Sequence, residues 1–197
     1  MPKRIRVVEP PAPAPGPAEK AFGLDRRWHL ARDDSEIDVT EFEYALMRSY
    51  EAFARWQSEC LAAVTGLAMN GVDNAILHVI RMNDRAKGVK EIGRLTNRDD
   101  MSNIQYSIRK LLKAGLIEKL GSENRRKGVV YRATEKGAEV TENYAELRRK
   151  LLMSFIADVP GLGQNLAAAA RTLDIAAGLY EQSGRIAATH RKTIQDE

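Results

Sequence analysis

The sequence predicts a mainly α-helical chain interrupted once, near its middle, by a short β-hairpin. Three observations carry that reading. Apolar residues recur at helical spacing from Thr40 to Leu67 and in later segments. Strand-like runs occur only between Leu116 and Ala133, on either side of a basic loop that ends in Gly128. Six of the seven prolines lie in the first seventeen residues, so the remainder meets no helix breaker of that kind until Pro160.

Taken in order, residues 1–32 are read as a tail. Pro10 to Ala18 reads PPAPAPGPA, which favours an extended polyproline conformation and cannot pack a core. Residues 33–70 are assigned to an N-terminal segment built on a long helix from Thr40, with Phe42, Leu46, Phe53, Trp56, Cys60, Val64 and Leu67 on one side. Thr40 is expected to cap it, with Glu41 and Glu43 in a first turn where the helix dipole favours acids. At about 26 residues, or ~39 Å, it is long for a small domain, so part of it is expected to pack on another chain. Asp33 and Asp34 are read as linker.

Residues 71–137 carry the compact part. Asn70 and Asp73 are spaced as a capping box for a helix holding Ile76, Leu77, Val79 and Ile80. Asn83 to Gly88 is a polar break. Val89 to Thr96 forms a short helix, Asn97 to Asp100 a turn with capping residues, and Met101 to Ala114 a helix with Ile104, Ile108, Leu111 and Leu112 inward. Gly115 stops it. Leu116–Leu120 and Val129–Ala133 are the two strands of the hairpin. Thr134 caps a helix from Glu135 to about Ala157, and Pro160-Gly161 breaks the chain. Leu162 to about Arg191 is an Ala-rich helix whose stripe of small residues permits close helix approach. Residues 138–192 are thus helical, and 193–197 are a tail.

Composition sets limits on function. The 197 residues are 44% hydrophobic and 29% charged, enough for a core without staples. The single Cys60 excludes a disulfide framework and a Cys-cluster zinc site, and fits a reducing cytoplasm. His29, His78 and His190 stand far apart, so no metal site is expected. No apolar run reaches membrane-span length, and the basic start at Lys3, Arg4 and Arg6 leads into prolines, not a signal-peptide core. A cytoplasmic protein without membrane attachment is therefore expected. Gly161-Leu-Gly163 follows a helix, not a strand, and neither a Walker A run nor GxSxG is present, so no enzyme is read.

Charge is unevenly placed. Arg85 to Lys136 holds fourteen basic and six acidic residues, a local +8, whereas Asp33 to Glu59 holds eight acids and two Arg, a local −6. A basic middle suggests a polyanion partner. Three helices followed by a hairpin within about 65 residues is the plan of a winged helix-turn-helix, whose second helix of the pair enters the major groove. Its outer face offers Ser102, Asn103, Gln105, Tyr106, Arg109 and Lys110. Asn and Gln pair with adenine and Arg with guanine, and Ser102 and Ser107 suit phosphate or base. Arg125, Arg126 and Lys127 at the hairpin tip suit a narrow minor groove.

Leu111 to Lys119 resembles the end of the recognition helix and the first wing strand of the MarR family of transcription regulators. Arg125 to Gly137 is similar to that family's wing and its Thr-x-x-Gly entry to the next helix. The wing departs from the family pattern. Arg125 and Lys127 stand where Asp and Arg are usual, and Ala133 replaces a usual Leu. The resemblance implies long N- and C-terminal dimerisation helices around a winged helix. It also implies a homodimer on a pseudo-palindromic operator in double-stranded DNA, usually as a repressor. It implies no cofactor, but in many members a small aromatic effector, for which Tyr50, Phe53 and Trp56 are the candidate contacts. Cys60, on an apolar stripe, reads better as a small hydrophobe than as an oxidant sensor. Two alternatives stay open: a winged-helix protein-interaction module, and a non-specific DNA-binding protein.

Overall fold

The computed structural model describes residues 29–121 and 128–190. It divides into two units between Ala52 and Phe53, inside the first helix, α1 (Asp34–Thr65). That helix starts earlier than the apolar period suggests. Asp33 is its cap: Oδ1 accepts from the Ser35 hydroxyl at 2.7 Å and from the Glu36 N–H at 3.0 Å. These two bonds hold the Asp33 carboxyl below its ordinary range. Thr40, expected as the cap, lies inside the helix, buried, its hydroxyl donating to the Glu36 carbonyl at 2.7 Å. Asp33 and Asp34 are therefore helix start rather than linker. A carboxylate outcompetes a hydroxyl at that place because it accepts two bonds and complements the dipole.

The second unit holds the core. α2 (Gly71–Arg81) opens on the expected capping box: Asn70 Oδ1 accepts from Asp73 N–H, and Asp73 Oδ2 from Asn70 N–H, both at 3.0 Å. A 3-10 turn, Met82–Asp84, leads to β1 (Lys87–Gly88). There follow α3 (Val89–Leu95), α4 (Met101–Lys113), β2 (Ile117–Leu120), β3 (Val130–Ala133) and α5 (Glu135–Arg148). A π-helical turn, Arg149–Met153, continues α5 into α6 (Ser154–Asp158), and α7 spans Leu162–Thr189.

Leu61 of α1, Ile76, Leu77 and Ile80 of α2, Ile92 of α3, Ile104, Ile108 and Leu111 of α4, Leu116, Ile117 and Val140 form one buried cluster. α2, α3, α4 and β2 thus each contribute apolar residues to one core, whereas β3 contributes none that is fully buried. By contrast, no residue of α7 is buried.

The hairpin is part of a three-stranded antiparallel sheet in the order β1-β3-β2. The third strand is a correction to the two-stranded expectation. Lys87 pairs with Tyr131 and Gly88 with Val130, while Ile117 to Leu120 pair with Ala133 to Val130. The presumed polar break also hides a core residue. Lys87 is 0% exposed, and its ammonium donates to the carbonyls of Ile80 at 3.2 Å, Arg85 at 3.1 Å and Met82. These carbonyls lie at or just beyond the end of α2, where the helix leaves acceptors without partners.

The Thr-x-x-Gly signature has a direct physical cause. The Thr134 hydroxyl donates to the Gly115 carbonyl at 2.7 Å and accepts from the Gly137 N–H at 3.1 Å. A Cβ on Gly137 would lie 1.9 Å from the Leu116 carbonyl oxygen. Only glycine lets α5 approach the start of the wing that closely.

Candidate nucleic-acid interface

α3, its turn and α4 form the helix-turn-helix. Gly93 sets the turn: its carbonyl accepts from Arg98 N–H at 2.9 Å, and a Cβ there would lie 2.9 Å from the Arg98 carbonyl. Asn97 takes a left-handed φ of 52° within the turn. Asp100 then caps α4, its Oδ1 accepting from Ser102 and Asn103 N–H, each at 3.0 Å. These contacts fix how the short helix meets the longer one.

Six residues of α4 are expected to face a groove. Ser102, Asn103, Gln105, Tyr106 and Arg109 are exposed. Gln105, Tyr106 and Arg109 fall on one side, with the Arg109 guanidinium 6.0 Å from the Tyr106 ring centroid. Asn103 is already engaged, its side-chain amide donating to Asp100 Oδ2 at 2.5 Å. Lys110 departs furthest from the expectation. Its side chain is only 27% exposed and pairs with Asp73, whose own side chain is 0% exposed. Helical spacing places Lys110 at the edge of the outer face, and a buried carboxylate on α2 draws its ammonium inward. Ser107, read as a phosphate or base contact, is buried among the apolar residues of α4. Asp73 and Lys87 are the two charged core residues that sequence reasoning missed, although Asp73 was read correctly as part of a cap.

The wing is basic in its strands as well, but Arg132 is paired with Glu118 across β3 and β2 at 2.7 Å. Arg85 likewise grips Glu91 through both guanidinium nitrogens, which lowers the Glu91 carboxyl and raises Arg85. Arg125, Arg126 and Lys127 lie outside the described residues.

Of the residues expected to meet an aromatic effector, Tyr50 and Phe53 are each 55% exposed and Trp56 is half-buried. None of them lines any of three cavities among the described residues, of about 720, 550 and 210 Å³. Cys60 is buried, and burial followed by the Glu59 charge raises its thiol, which fits a packing role. The His78 ring meets Tyr144 edge-on at 4.6 Å, and burial lowers its imidazole. Among the described residues no cluster of His, Cys, Asp or Glu could hold a metal ion, and no helix is long and apolar enough to cross a membrane.

Comparison with known proteins agrees with this geometry. The model of the winged helix DNA-binding domain family matches residues 69–137. No curated protein matches the sequence. The transcriptional regulator BldR from Sulfolobus solfataricus is similar in structure, at 17% identity and a TM-score of 0.59, over 73% of this chain and 99% of that one. A mutant MarR from E. coli complexed with operator DNA aligns at 17% identity and a TM-score of 0.57, over 72% and 99%. Staphylococcus aureus MarR in complex with salicylate and kanamycin aligns at 15% identity and 0.56, over 71% and 91%. Residues 69–137 thus match the winged helix DNA-binding domain family, and the chain is similar in fold to these transcriptional regulators.

Proposed function

We propose that the protein is a homodimeric, sequence-specific DNA-binding transcription regulator of MarR type that acts as a repressor in the cytoplasm. The observation that carries the reading is α4: a capped helix, seated on a buried core, that presents Gln105, Tyr106 and Arg109 to solvent. Gln and Arg are suited to bidentate pairing with adenine and guanine in the major groove. The E. coli MarR bound to operator DNA supports the same assignment by likeness of fold.

The dimer is supported by α7. Leu166, Leu173, Ile175, Leu179, Tyr180 and Ile186 all stand exposed along it. Leu166, Leu173 and Tyr180, spaced by sevens, form one exposed apolar stripe suited to an interface, and a second copy of the chain is the partner that also matches a two-fold symmetric operator. For the effector we propose a small aromatic acid, the class to which the salicylate of the S. aureus complex belongs. Such a ligand relieves repression only if it binds one dimer geometry better than another.

The test is a binding titration on DNA from upstream of the protein's own coding region, against scrambled DNA of equal length, at several salt concentrations. A preference of ~10³ or more with a steep salt slope is expected of a specific regulator. Arg109→Ala is expected to cost ~1–3 kcal/mol on the preferred fragment and to relax preference at one position. Salt-sensitive binding without preference refutes specificity, and no binding at low salt refutes the DNA reading altogether. Salicylate added to the preferred complex is expected to weaken it, and an unchanged affinity at millimolar salicylate counts against that effector class.

A further inference from the structure

The Asp73–Lys110 contact joins the two ends of the reading apparatus. Asp73 is fully buried at the start of α2, where Oδ2 accepts from Asn70 N–H and from the Lys110 ammonium. Its other oxygen, Oδ1, is buried without a hydrogen-bond partner. The carboxylate cannot follow Lys110 outward, because α2 is wedged in place. A Cβ on Gly71 would lie 2.9 Å from the Ala54 carbonyl of α1 and 3.1 Å from Gln57 Oε1. Lys110 in turn lies on the face of α4 that meets DNA in the reading above, its ammonium 5.8 Å from the Tyr106 ring.

A lysine free on that face would attract any phosphate, whatever the sequence, and would release about one counterion on binding. Paired with a buried carboxylate it is drawn inward and electrically cancelled. Pulling it off would leave Asp73 buried and unpaired, a state that costs several kcal/mol in typical proteins. We propose that Asp73 is a specificity-determining residue, which holds Lys110 away from the phosphate backbone and so leaves recognition to Gln105, Tyr106 and Arg109.

Asp73 makes no contact with DNA in this scheme and acts through Lys110 as a positioning residue. The inference rests on the DNA-binding reading of α4, and the experiment separates the two. The full chain, wild type and Asp73→Asn, is titrated with a random-sequence duplex and with a duplex selected by the wild type from a random library, between 50 and 300 mM salt. Asparagine keeps an oxygen to accept from Asn70 N–H but loses the charge that holds Lys110.

For Asp73→Asn we expect tighter binding to the random duplex, by about fivefold near 0.1 M salt, and a logarithmic salt slope steeper by about 0.9. The ratio of selected to random affinity should fall by a similar factor. Adding Lys110→Gln should return the slope to that of wild type, a reversal that loss of structure would not produce. An unchanged slope in a folded Asp73→Asn protein overturns the proposal. Should Asp73→Asn fail to fold, Lys110→Gln alone decides. An unchanged slope supports a lysine already withdrawn from DNA, and a slope shallower by about 0.9 shows it on a phosphate and refutes the proposal. A wild type that binds neither duplex removes the DNA reading, and this inference with it.

Discussion

α2 and α7 are both rich in apolar residues, yet α2 buries six of its eleven residues while α7 buries none of its twenty-eight. The difference lies in company rather than in composition. Ile76, Leu77 and Ile80 of α2 belong to the core cluster shared with α3, α4 and α5, whereas Leu173, Leu179 and Ile186 of α7 face water. A helix in water is held mainly by the packing of its apolar face, and for α7 it is the proposed dimer that would supply the second surface. In the proposed dimer the winged region therefore governs folding and α7 governs assembly, and the two can be perturbed separately.

The largest effect should come from the packed side. Leu111→Ala removes a fully buried side chain of α4 and is expected to cost ~2–5 kcal/mol in urea unfolding, with loss of DNA binding. Gly137→Ala should cost about 3 kcal/mol, because its Cβ meets a backbone oxygen that cannot move without opening the start of the wing. On the α7 side, Leu173→Ser combined with Leu179→Ser should raise the dimer dissociation constant at least tenfold, read by sedimentation equilibrium. The same pair should leave the unfolding free energy of the separated protomer within about 0.5 kcal/mol. A loss there as large as that of Leu111→Ala would break the contrast between the two helices.

Smaller effects sharpen it. Asp100→Ala removes the cap of α4 and should cost about 1 kcal/mol, visible as a lowered urea midpoint. The last is a dependence on pH. Burial lowers the His78 imidazole below its ordinary value of 6.5, so the folded chain takes up that proton less readily than the unfolded chain does. Stability contributed by that neutral ring is present above about pH 6.5 and is lost as pH falls below it. His78→Gln should flatten the fall in urea midpoint between pH 6.5 and 5, and an equally steep fall in the variant would assign it to other groups.

Much of this fold is legible in local spacing. The Asn70–Asp73 box, the Asp100 cap and the Thr134/Gly137 pair each act over three residues, and each forms where its pattern places it. What escapes the sequence acts over longer range or leaves no period. β1 has two residues and cannot alternate. Lys87 reads as solvated because nothing local shows that the carbonyls beyond α2 will surround it. Lys110 reads as a DNA contact because its partner stands thirty-seven residues away. α1 starts ahead of its expected place because an apolar period locates a buried face, not a first turn, and Asp33 precedes the first apolar residue of that face. The candidate interface is thus legible in the exposure of Gln105, Tyr106 and Arg109 and less so at Lys110, whose direction depends on the opposite charge that tertiary structure brings to it.

The buried ammonium of Lys87 has one more consequence. Many proteins close a ring of carbonyl oxygens with a dissolved potassium or sodium ion, and then fold according to the ionic medium. Here the cation is covalently attached to the strand it organises, so it cannot be exchanged or diluted away. If DNA is the partner, as proposed above, salt that loosens the grip on that polyanion leaves the joint between the second helix and the sheet untouched.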